Sequence, residues 1–202
     1  MTYPEFFDMV PAIRVHDPLS ALLGTFAAGN VTFSYLDVVK AAGHSCPTVA
    51  GAYLMALRGL EALYPETLPV RGNIRVLIKE ALEAGSAGVT GSVLSQITGA
   101  AEAGGFKGMN GRFARRDLLE YGAAIEADLR LVRLDDGRAV DCYYTPQSVP
   151  PAAELQPLML KIGSGDATMQ QLMAFGRLWQ ERVREILIEA RENENLVRIE
   201  VV

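Results

Sequence analysis

Apolar residues recur at helical spacing along several stretches of this chain and at alternate positions along others, and that pattern sets out the elements. Asp17 followed by Pro18 reads as an N-cap with proline at the first helical position. Leu19, Leu22, Leu23 and Phe26 then predict a helix over 17–28 that stops at Gly29. A second helix over 33–42, capped by Thr32 or Ser34, carries Tyr35, Leu36, Val38 and Val39 inward and ends at Gly43. Pro47 opens a longer one with Ala50, Tyr53, Leu54, Leu57, Leu60 and Leu63 in a single stripe and Pro65 beyond its end. Ile74, Val76 and Ile78 alternate with polar neighbours, as in a strand with one face on a core. Helical spacing returns over 90–101, with Val93, Leu94 and Ile97 inward.

Two β-rich runs, 125–134 and 139–145, flank Asp135-Asp136-Gly137, the strongest hairpin signal in the chain. A proline-rich connection over 146–157 follows. A long amphipathic helix over 168–190 then turns Leu172, Phe175, Leu178, Trp179, Val183, Ile186 and Leu187 to one face, and a strand over 196–202 closes the sequence. Helices at the ends and strands in the middle predict one α+β domain over 1–202, a mixed sheet with a central hairpin packed against several helices.

Composition narrows the partners. Half of the 202 residues are apolar and 21% are charged, the balance of a globular chain. A net charge of −5, with basic residues grouped only around Arg112 to Arg116, offers little attraction to a phosphate backbone, so nucleic acid is not expected. No apolar run approaches the ~18 residues that cross a bilayer, and the N-terminal residues lack a basic leader pattern, so a cytoplasmic protein without a membrane partner is expected. The two cysteines, Cys46 and Cys142, are far apart in sequence, which rules out both a disulfide framework and a four-cysteine ribbon.

Candidate chemistry concentrates at Gly43-His44-Ser45-Cys46-Pro47. Imidazole and thiol sit two residues apart in a turn loosened by glycine, so both can aim at one point. Cys46 is also the expected N-cap of the Pro47 helix, where free N–H groups and the helix dipole favour a thiolate over a thiol. A structural cysteine beside an ordinary histidine is the competing reading. His16, the other histidine, stands just before Asp17-Pro18, and convergence of the two helix starts would add it as a third ligand, leaving one tetrahedral position open. Cys142 reads as a small hydrophobe of the hairpin.

The segment Ala41-Ala42-Gly43-His44-Ser45-Cys46-Pro47 followed by Gly51-Ala52-Tyr53 resembles the His-x-Cys-Pro signature of the formylmethanofuran dehydrogenase E-subunit family. The likeness extends along the next helix and, more loosely, to Val93 through Gly99, about half the chain. The resemblance implies His44 and Cys46 as metal ligands and a homodimeric mixed α/β fold. The chain departs from it where Ala42 replaces a second histidine, Thr48 a glycine and Val89 a cysteine, and it has no cysteine after Cys142 to build the zinc ribbon of many relatives. His16 is the candidate to fill the ligand set.

The loop 104–113 spaces glycines by three and leads into Arg112, Arg115 and Arg116. Backbone N–H groups with Lys107 and Arg112 would hold an anionic ligand beside the metal, against the plainer reading of a flexible crossing loop. Walker A, dinucleotide and nucleophile-elbow patterns are missing. The expected function is therefore a metal-binding protein, with zinc ahead of iron or nickel, whose open site takes a small carbonyl or carboxylate ligand. The alternative is a non-catalytic accessory or carrier holding a metal cofactor such as haem for a larger redox enzyme. Tyr143, Tyr144 and Asp17 are further polar groups near the expected site.

Overall fold

Cys46 caps and Pro47 starts the helix on which the rest of the chain is arranged, α3 (Pro47–Leu63), in a computed structural model describing residues 2–202. Nearly every side chain of α3 from Val49 to Leu60 is buried, which its all-round apolar sequence requires. Two glycines let the helix lie close against the sheet. A Cβ at Gly59 would stand 3.0 Å from both the Cys142 sulfur and Leu131, and one at Gly51 would stand 2.3 Å from the Tyr144 ring.

The chain is an α+β protein. Its larger sheet has the order β4-β3-β5-β6-β7, formed by β3 (Ile74–Ile78), β4 (Leu119–Tyr121), β5 (Leu129–Arg133), β6 (Ala139–Tyr144) and β7 (Val197–Val201). The pair β3 and β4 is parallel and the other pairs are antiparallel. Ile74, Val76 and Ile78 are buried as their alternation predicts, and Gly137 at φ 76° turns β5 into β6. A separate antiparallel ribbon joins β1 (Ile13–His16) to β2 (Asn30–Phe33). Besides α3, the described residues form α1 (Pro18–Leu22), α2 (Tyr35–Ala42), α4 (Ala87–Thr98), α5 (Leu155–Gly163) and α6 (Met169–Arg184). Among them, no helix is long and apolar enough to cross a membrane.

Three expectations change. The helix over 17–28 shrinks to α1, because His16 pairs with Asn30 across the ribbon and the chain must turn back at Gly24 and Gly29, both at positive φ. The proline-rich connection contains α5, since Pro157 falls in its first turn, where the missing N–H costs nothing. The helix over 168–190 ends as α6 followed by one π-turn at Glu185–Glu189, which keeps Ile186 and Leu187 in the core. Its apolar face is buried only in its second half, because the body of the protein ends near Trp179: Val183 is fully buried and Leu172 is exposed.

Candidate functional site

Two helix ends meet at the Gly43–Pro47 turn. Helix α2, held at its start by a Ser34/Asp37 capping box, stops at Gly43 in the left-handed region, φ 76°. Three residues later α3 begins, its Cys46 sulfur accepting the Val49 N–H at 3.4 Å and its Cys46 carbonyl the Ala50 N–H at 2.9 Å.

Side chains of α2 itself, α6 and β6 fasten this turn. The Ser45 carbonyl accepts from Trp179 Nε1 at 3.0 Å and from Gln180 Nε2 at 3.1 Å. Ser45 Oγ shares a hydrogen bond with the buried Tyr35 hydroxyl at 3.0 Å, and the Tyr144 hydroxyl donates to the Pro47 carbonyl at 2.7 Å. Burial raises the pKa of both tyrosines, so their hydroxyls stay protonated across the physiological range. Each contact is worth about 1 kcal/mol, and together they fix one conformation of a turn that glycine alone would leave loose.

Against this rigid frame the two donors differ in access. The His44 imidazole is exposed, with Nδ1 3.0 Å from the Ala42 carbonyl. A carbonyl only accepts, so that nitrogen carries the hydrogen, and in the neutral ring Nε2 keeps its lone pair. This is the arrangement by which a ligating histidine is oriented through a backbone carbonyl. Cys46 is half-buried.

His16 lies elsewhere. It ends β1, with its N–H on the Pro69 carbonyl, its own carbonyl taking the Arg71 N–H, and its ring beside Gly29. Among the described residues no three His, Cys, Asp or Glu side chains gather where they would hold an ion. The helix starts of α1 and α3 therefore do not assemble the three-ligand set; the turn itself carries one imidazole and one thiol, short of the three protein ligands that catalytic zinc takes.

Asp17 performs a different task from the polar lining expected of it. Its Oδ1 caps α1 through the Leu19 and Ser20 N–H groups and also meets Arg115 at 2.7 Å, while Oδ2 meets Arg71 at 2.8 Å. Burial works against this carboxylate, but the Arg71 and Ser20 hydrogen bonds and the two positive charges outweigh it and hold its pKa below the usual carboxylate range. Arg71 further donates to the Ile97 and Gln96 carbonyls at the C-terminus of α4. Arg115, which follows the glycine-rich loop, is thus a buried ion-pair partner packed over Gly72 and Gly99.

A cleft of about 240 Å³ is lined by Thr48, Glu80, Asp128 and Tyr144 together with Met55 and Ile78. Its lining has two carboxylates and no basic group. Lys107 and Arg112 are exposed, Arg112 lying over the Phe113 ring, and neither reaches that cleft. Sequence reasoning overlooked Gln180 and the fastening roles of Tyr35, Tyr144 and Trp179. The one local signal was Gly51, a glycine in mid-helix that marks the close approach of a ring. No known family model matches the chain and no curated protein matches it.

Proposed function

We propose that the chain is a metal-binding protein, resembling the formylmethanofuran dehydrogenase E-subunit family, in which His44 and Cys46 hold one ion, zinc before iron or nickel, and leave its remaining positions to water and a small ligand. The observation that carries the reading is the oriented His44 ring: its Nδ1 on the Ala42 carbonyl leaves Nε2 free, in a turn fastened by Tyr35, Tyr144, Trp179 and Gln180. A bound ion of this kind supplies a Lewis acid toward a carbonyl oxygen. The protein's own part is to hold the two donors in place without reorganisation on binding. Its ligand is a small carbonyl or carboxylate compound.

Two protein donors in place of four imply modest affinity. Structural zinc sites release about 10–16 kcal/mol, so half the donor set gives about 5–8 kcal/mol and a Kd of roughly 1–200 µM. Titration calorimetry with zinc, read with elemental analysis after dialysis, tests this. His44→Ala and Cys46→Ser are each expected to abolish binding while His16→Ala leaves it unchanged. Full zinc binding in the double variant H44A/C46S would sink the proposal.

A further inference from the structure

A pocket of about 220 Å³ lies at the far end of α3 from the Cys46 turn. Leu57, Leu60, Glu61 and Tyr64, one face of the helix by their spacing, form one wall. The start of β1, with Ile13 and Arg14, forms a second, and residues 67–69 a third. Its floor is apolar, since Ile13, Leu57, Leu60 and Tyr64 are all buried side chains. The sequence explains the opening. Neighbouring residues of an antiparallel ribbon direct their N–H and C=O alternately toward the partner strand and away from it. Asp17 bonds Gly29 across the ribbon at 2.7 Å, so His16 and Arg14 direct theirs away. His16 is satisfied there by the Pro69 carbonyl at 2.9 Å and the Arg71 N–H at 2.8 Å, a parallel pairing. Its next step would join the Arg14 carbonyl to the N–H of residue 69, and proline has none. The pairing stops, and the Arg14 N–H and C=O are without a hydrogen-bond partner among the described residues.

The charged side chains of the lining are unpaired as well. Arg14 stands on the strand wall and Glu61 on the helix wall, and neither joins an ion pair among the described residues. Partial burial and the nearby Glu192 outweigh Arg191 and Arg58 and hold the Glu61 pKa above the usual carboxylate range, so this carboxylate lacks a compensating cation. We infer that the pocket binds the zwitterion of an apolar α-amino acid. Its side chain rests on the floor, its carboxylate accepts from the Arg14 N–H and guanidinium, and its ammonium donates to Glu61 and to the Arg14 carbonyl. A donor and an acceptor side by side on a free strand edge are what the carboxylate and amine of an amino acid complement. Volume sets the size. A cavity of ~150 Å³ holds benzene and drug-sized ligands fill about 300 Å³ or more, so 220 Å³ suits one residue with a leucine-sized side chain and excludes a peptide. Glu61 and Cys46 stand about 20 Å apart along α3 at 1.5 Å per residue, so this site and the metal turn are separate.

Titration of L-leucine into the isotope-labelled, zinc-free full chain, followed by amide chemical shifts, is expected to move the Arg14 and Glu61 resonances with a Kd on the order of 0.1–1 mM, the range open to so small a ligand. Leucinamide, which lacks the carboxylate, and isocaproate, which lacks the ammonium, should each bind about 10-fold more weakly, and glycine, which has no side chain for the floor, should not bind. Arg14→Gln and Glu61→Gln, changes at exposed positions that leave the circular dichroism of the fold intact, are each expected to weaken leucine binding about 10-fold, and Glu61→Gln to abolish the preference for leucine over isocaproate. In H44A/C46S leucine binding should be that of wild type, which separates this site from the metal turn. No shifts up to about 10 mM leucine, equal affinity for leucine and leucinamide, tighter binding of leucyl-leucine than of leucine, wild-type affinity in both single variants, or loss of binding in H44A/C46S would each overturn the inference.

Discussion

Substituting Gly51 by alanine sets two effects of opposite sign against each other at the centre of the proposed site. Glycine in a helix interior costs about 1 kcal/mol relative to alanine, so propensity alone predicts that Gly51→Ala stabilises the protein by that amount. The structure predicts the reverse. The new methyl would stand 2.3–2.6 Å from three atoms of the Tyr144 ring, far inside van der Waals contact, so the ring must move. Moving it breaks the 2.7 Å bond from its hydroxyl to the Pro47 carbonyl, a loss of about 1 kcal/mol. Overpacking adds about 1–3 kcal/mol. The balance is a destabilisation of roughly 1–3 kcal/mol, or a fall in Tm of about 3–10 °C for a chain of this size. Urea and thermal denaturation measure it, and a double-mutant cycle assigns its cause: in a Tyr144→Ala background the ring is gone, and the same substitution should stabilise by about 0.5–1 kcal/mol. A Gly51→Ala protein more stable than wild type would refute the reasoning, because it would mean that Tyr144 does not rest on the helix and does not fasten the turn. Zinc affinity of the variant should fall along with its stability.

The remaining predictions concern the ion cluster and the turn. Asp17→Asn keeps the cap on α1 through its amide oxygen but leaves Arg115, whose side chain is 9% exposed, without a counter-charge, at a cost of about 3–5 kcal/mol and a Tm lowered by roughly 6–15 °C. Because the Asp17 pKa is depressed in the folded chain, its stabilisation is complete above about pH 4, the unfolded value, and is lost as pH falls through the lower folded value. Wild type and Asp17→Asn should therefore converge in stability in acid, and a gap that stays constant down to about pH 2 would contradict the assignment. Tyr35→Phe removes one fastening of Ser45, and calorimetry should show about 1 kcal/mol less stability and a several-fold weaker zinc Kd with unchanged stoichiometry.

Local pattern determined much of this protein. Caps and stops are short-range chemistry, so Gly43, Cys46 with Pro47, and Gly137 could be placed as they stand, Ser34 was one of two candidate caps, and the alternation of Ile74, Val76 and Ile78 named the buried face of its strand. The turn that carries His44 and Cys46 was legible for the same reason, its residues being neighbours. Everything that depends on distant parts of the chain was not. Whether α1 continues to Ala28 is decided by the pairing of His16 with Asn30. Which half of α6 is buried is decided by where the body ends, and amphipathic spacing is identical on both halves. The separation of His16 from the turn, and the pairing of Arg115 with Asp17 across 98 positions, follow from how distant segments of the chain pack together. The physical reason is common to all of them: a residue's own backbone preferences are fixed within a few neighbours, whereas burial and charge pairing are properties of the surface that packing brings against it.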